Sequence, residues 1–172
     1  MTQVEARRRV TRAGARSAAN GAQHLATSQR PADNLLALVH VLSSLINRAF
    51  YAKLHTRHGI STASWRILLT LLNHPGATAV EINDRWAMEK MAVSRAIRQL
   101  ERRSWIRRVV QTHDRRSYSL YVTAKGRAIC RAVLPDANAR YREIVSCMDA
   151  KELAALDLSL VKLIVHTAHL ID

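Results

Sequence analysis

The sequence predicts a mainly α-helical chain carrying one small β-hairpin. Three observations predict it. Gly (5) and Pro (3) are scarce while Leu, Ala and Arg are abundant, a composition that favours helix. From Asp33 onward, apolar residues recur at i, i+3, i+4 and i+7, the period of one helix face. Around residues 106–122 that period gives way to alternation, the mark of paired strands.

A chain of 172 residues, 48% hydrophobic, can bury the core of one ordinary globular domain. No uninterrupted apolar run approaches the roughly 18–20 residues that cross a bilayer, so a soluble protein with no membrane partner is expected. Lys and Arg number 27 against 13 Asp and Glu, a formal net charge of +14. Solubility alone does not require such an excess; a polyanion partner does. A basic membrane-surface helix would spread its cations along one face with bulky apolar residues opposite. Here the Arg concentrate in residues 1–16 and 95–116, the second cluster inside the globular pattern, which favours nucleic acid.

Cys130 and Cys147 fall in one predicted helical region. If that helix were continuous they would lie about 25 Å apart, too far to bridge. The chain is not a disulfide framework, which fits a reducing cytoplasm. Both cysteines read first as small buried hydrophobes, with a peroxide-sensing thiol as the alternative.

The elements follow in order. Residues 1–32 form a basic arm: VEARRRVTRAGARSAANGAQHLATSQR has six Arg, one Glu and no aromatic residue, and cannot build a core. A transit peptide, a DNA-contacting arm and a loose tail all fit it. Leu35, Leu38, Val39, Leu42, Leu45, Ile46 and Ala49 then make an amphipathic helix to about Arg57, stopped by Gly59. Ser61 caps a second helix carrying Trp65, Leu68, Leu69 and Leu72, which ends at His74-Pro75-Gly76. Thr78 and Glu81 make a capping box for a third helix to about Ala87. A fourth spans about 90–103, followed by the strands IRRVVQ and SYSLYVT joined by a charged turn. Thr123 caps a long helix that Pro135 is expected to kink. Asp149 starts a last helix to Leu170, apolar on more than one face, which calls for a second copy of the chain as neighbour.

Helix, turn, helix and two-stranded hairpin is the order of a winged helix-turn-helix. In the fourth helix Val93, Ile97 and Leu100 pin one side to the core, leaving Lys90, Ser94, Arg95 and Arg98 outward near its start. A recognition helix needs this division, because its first turns reach base edges in the major groove. The hairpin tip adds His113, Arg115 and Arg116, and a narrow minor groove draws in such cations. Asp114 among them serves as an ion-pair partner that orients a neighbouring Arg.

The pattern Asp114, Arg116, Leu120, Val122, Thr123 and Gly126 resembles the wing motif D-x-R-x-x-x-L-x-L-T-x-x-G of the MarR (multiple antibiotic resistance regulator) family, with Val in place of the second Leu. MEKMAVSRAIRQLERRSWIRR and SWRILLTLLNHPGATAVEI resemble its recognition helix and the two helices before it. The resemblance spans roughly 33–171. It implies a homodimer whose dimerisation helices are 33–57 and 123–172, flanking a DNA-binding domain at 61–122. It also implies that Arg116 enters the minor groove, that Asp114 orients the wing, and that Ser94 and Arg95 face the major groove. Two departures concern local geometry. Glu89 stands where the family often has a Ser or Asp cap, and Ser104 where a Gly leads into the wing.

Family members often release DNA on binding a small aromatic acid or phenol between the dimerisation helices and the DNA-binding lobe. There this chain offers His40, Arg48, Tyr51, Trp65 and Arg66, of which Trp65 also reads as core and Arg48 as surface. His55-x-x-His58 and His166-x-x-His169 are fragments of a metal site with no evident completing ligand, so neither metal nor cofactor is expected. Peroxide sensors of the family use a Cys near the start of the first dimerisation helix, which is absent here. The expected function is a cytoplasmic, dimeric, ligand-responsive repressor at a pseudo-palindromic operator. The alternatives are a protein- or RNA-binding winged-helix module and a redox-sensing regulator. No phosphate loop or catalytic constellation marks an enzyme.

Overall fold

The computed structural model describes residues 31–110 and 118–171. The chain divides into two units, one up to Ala52 and one from Lys53 onward. In the first, α1 (Pro31–Ile46) passes into a π-helical turn over Asn47–Tyr51. Asn47 Nδ2 donates to the Ser43 carbonyl at 3.0 Å in this stretch, and Phe50 and Tyr51 meet edge to face at 4.9 Å. The sequence had read as one regular helix; the wider turn interrupts it.

The second unit runs α2 (Ala52–His58, with Ala52 at the junction), α3 (Thr62–Asn73), α4 (Ala79–Trp86), α5 (Lys90–Arg102), β1 (Ile106–Val110), β2 (Tyr118–Val122), α6 (Ala124–Val145) and α7 (Ala150–Ala168). This is a mainly α winged helix-turn-helix with one antiparallel hairpin, as the sequence predicts. The caps set its boundaries. Gly59 takes a left-handed φ of +63° and its N–H returns to the His55 carbonyl at 2.9 Å, closing α2. Ser61 Oγ accepts from the Ser64 N–H, starting α3. Thr78 and Glu81 form the expected box: Glu81 Oε2 accepts from the Thr78 N–H at 2.7 Å, and Thr78 Oγ1 from the Glu81 N–H at 3.3 Å. The Thr78 N–H holds the Glu81 carboxyl below its ordinary range. Asp149 and Glu152 form a second box that opens α7.

The core lies entirely between Leu54 and Ala137 among the described residues. Ile60, Trp65, Ile67, Leu68 and Leu71 pack with Ile82 of α4, with Val93, Ile97 and Leu100 of α5, and with Ile106, Leu120 and Val122 of the hairpin. Cys130 and Val133 of α6 complete it. The strands pair from Ile106 with Val122 to Val110 with Tyr118. The turn after α3 adds two further rungs, the Gly76 N–H to the Leu120 carbonyl and the Leu120 N–H to the Ala77 carbonyl.

One expectation, the burial of both cysteines, needs correcting. Cys147 is exposed, in the turn after α6, and only Cys130 is a buried hydrophobe. The long helix runs without a break from Ala124 to Val145, with Pro135 inside it. Finally, the helical stretch Leu35–His58 is long and apolar enough, by length and composition, to cross a membrane. Arg48, Lys53 and Arg57 fall within that stretch, so it holds no unbroken apolar run of that length.

Candidate nucleic-acid interface

α5 divides cleanly by face. Val93, Ala96, Ile97 and Leu100 are buried, while Lys90, Arg95, Arg98 and Arg102 are exposed and Ser94 is half-buried. Glu89 does act as the N-cap: its Oε1 accepts from the Met91 N–H at 3.3 Å, a side chain one methylene longer than Asp serving the same end. Its other oxygen lies 3.7 Å from Arg95 Nη2. The short turn between α4 and α5 is closed by Ala87 in a left-handed conformation, φ 45°.

The structure sorts the arginines that the sequence offered as one basic cluster. Arg103 Nη1 donates to the Gly59 carbonyl at 2.9 Å, and its guanidinium lies 4.8 Å from the Trp105 ring. Arg107 stacks 4.9 Å from Tyr121. Arg108 pairs with Glu101 at 2.7 Å and lies 5.5 Å from Tyr118. These three are committed to rings or polar partners, which fixes the α5 exit and the hairpin base. Lys90, Arg98 and Arg102 have no ion-pair partner among the described residues and point their charge at solvent. Arg102 was missed from the sequence, although its spacing four residues after Arg98 was the available signal.

Two recesses flank α5. One of about 450 Å³ lies between the starts of α4 and α5 and the hairpin, with Thr78, Val80, Lys90, Ser94, Arg108 and Tyr118 in its wall. The other, about 520 Å³, is lined by Arg95, Arg98, Gln99, Arg102 and Arg103. Besides Arg103, already committed, the guanidinium groups of Arg95, Arg98 and Arg102 line this concavity and suit the phosphates of a polyanion.

His113, Asp114, Arg115 and Arg116 lie outside the described residues. Of the residues offered for an effector, His40 and Arg48 are exposed and Tyr51 half-buried in the first unit. In the second, Trp65 is a core residue at 2% exposure, and Arg66 lies 5.2 Å from the Trp86 ring. Trp86 in turn donates to Thr70 Oγ1 at 2.9 Å, tying α4 to α3. Of the histidine pairs, His58 Nε2 is within 3.3 Å of Asp136 Oδ2. No group of three or more His, Cys, Asp or Glu among the described residues is arranged to hold a metal ion.

The family model described as "MarR family" matches residues 58–117. Among solved structures, a MarR/EmrR family transcriptional regulator from Acinetobacter sp. ADP1 superimposes with a TM-score of 0.74 at 21% identity, covering 81% of this chain and 99% of that one. A MarR transcriptional regulator from Methanosarcina mazei Go1 gives 0.70 at 20% identity, covering 80% and 99%. A mutant MarR from E. coli complexed with operator DNA gives 0.67 at 23%, covering 75% and 92%. No curated protein matches the chain. Residues 58–117 thus match the MarR family model, and the described residues share the fold of solved MarR regulators.

Proposed function

We propose that the chain is a DNA-binding transcriptional regulator without enzymatic activity, acting as a repressor that binds a pseudo-palindromic operator as a homodimer. The observation that carries this reading is the division of α5. Four exposed cations, Lys90, Arg95, Arg98 and Arg102, stand opposite a face anchored by Val93, Ile97 and Leu100. A similar fold, the E. coli MarR mutant, has been solved with operator DNA. Lys90 and Arg98 hold phosphates, Ser94 a phosphate or base, and Arg95 a guanine edge. Arg116 enters the minor groove beside His113 and Arg115, with Asp114 directing it.

The dimer is supported by α7, where no residue is buried and Leu158, Val161, Ile164 and Val165 are all more than half exposed. A second copy would remove that surface from water. Two recognition helices about 34–36 Å apart engage successive major grooves. A small aromatic acid or phenol that prefers another spacing shifts the population away from DNA by its differential affinity. The cytoplasm is the compartment that such a role requires.

The test is a titration of labelled duplex from the chain's own upstream region, and of a scrambled duplex, at two salt concentrations. Native duplex should bind roughly 10³-fold tighter than scrambled, and Arg116→Ala should remove most of the gap. Equal binding to both, collapsing with salt, would leave only charge attraction and refute sequence-specific reading.

A further inference from the structure

In α5, Met91 alone among the large apolar side chains is exposed, at 54%. It lies in the first turn and shares one stripe with Ser94, Arg95 and Arg98 at i, i+3, i+4 and i+7, opposite the buried Val93, Ile97 and Leu100. The packing of the lobe does not use it. Its backbone is held by the Glu89 cap, which fixes where the side chain emerges. Helical side chains lean towards the N-terminus, so the thioether extends over the end of α5 that a recognition helix presents to base edges.

A thioether is at best a weak acceptor and donates nothing, so it cannot read the hydrogen-bond code of the major groove. The groove offers one apolar feature, the C5-methyl of thymine. Taking the DNA-binding reading above as its premise, the geometry points to Met91 as a specificity-determining residue that packs on a thymine methyl. Arg95 sits one turn on, about 6 Å along the axis, so the thymine neighbours the base that Arg95 contacts, one or two base pairs away.

The experiment begins with selection of duplexes from a random-sequence pool by the purified chain. Each thymine of the recovered half-site is then replaced by deoxyuridine, which removes the methyl alone, and binding is followed by anisotropy. One replacement should weaken wild-type binding about fourfold, the effect of burying one methyl-sized group. Met91→Ala should bind both forms alike, and Met91→Leu should keep the discrimination. A recovered sequence with no methyl-sensitive thymine, or a sensitivity that persists in Met91→Ala, overturns the role of Met91 while leaving the regulator reading intact. Recovery of no defined sequence removes the regulator reading and this inference together.

Discussion

The hydroxyl of Thr123 donates to the carbonyl of Ser104 at 2.7 Å, joining the exit of α5 to the entrance of α6 across the base of the hairpin. The same residue accepts from the Gly126 N–H at 3.0 Å, and its own N–H donates to the Trp105 carbonyl at 2.9 Å. One short side chain thus starts a helix and closes a strand pair. The spacing Thr-x-x-Gly follows from this, because the capped amide at the third residue must also pass close to the Trp105 backbone.

That close approach makes Gly126 the least replaceable residue of the wing base. A Cβ there would lie 2.0 Å from the Trp105 carbonyl oxygen and 2.8 Å from Val122 Cγ1. Backbone cannot swing aside as a flexible side chain can. Gly126→Ala should therefore destabilise the fold by about 3 kcal/mol, read as a lower urea midpoint with the slope unchanged.

Ser104 offers the opposite case. It holds φ 57°, a left-handed conformation that costs a residue with a Cβ roughly 1–2 kcal/mol and glycine almost nothing. Part of that gain returns as unfolded-state entropy, so Ser104→Gly should stabilise by about 0.5–1 kcal/mol in equilibrium unfolding. The Thr123 bond is to the Ser104 backbone and survives the change.

The two thiols should separate in reactivity. Burial pushes the Cys130 thiol up to about 11, while Cys147 is exposed. A thiol-specific reagent at pH 8 should label Cys147 in the native protein and reach Cys130 only on unfolding. Fast native labelling that survives Cys147→Ser would contradict the placement of Cys130.

Arg57 and His58 meet Asp136 at 2.8 and 3.3 Å, tying α2 to α6. The Arg57 side chain, then His58, holds the Asp136 carboxyl below its ordinary range. A lowered folded-state value stabilises the fold above the normal carboxylate range and loses that contribution as pH falls through the lowered value. The stability gap between wild type and Asp136→Asn should be widest near neutrality and shrink as the solution is acidified. Because the pair is exposed, the gap should also narrow in high salt.

If α7 is the surface that joins two copies, a charge there should part them. Ile164, 66% exposed, contributes nothing to the core of the single chain. Ile164→Glu should sediment with half the mass of the wild type while keeping its helical circular dichroism. Unchanged mass would place the interface elsewhere.

Most of the fold was legible because helix ends are local. Ser61, Thr78 and Asp149 cap within a few residues of themselves, and the stripe Val93, Ile97, Leu100 shows the buried face of α5 without reference to any neighbour. Lys90, Arg95 and Arg98 followed as the residues left over. The long helix continues past Pro135 despite the missing N–H.

Periodicity, caps and the Thr-x-x-Gly spacing carry information between residues a turn or two apart, and that range was enough for the element order and the exposed face of α5. Residues distant in sequence met only in the folded chain. Which arginines stay free for a partner was decided by Trp105, Tyr118, Tyr121 and Glu101, whose rings and carboxylate claim Arg103, Arg107 and Arg108. Likewise, Cys130 and Cys147 look alike as letters and differ because one is buried in the core while the other sits exposed in the turn past α6. Charge and burial are properties of surroundings, and those surroundings are assembled only when distant segments pack.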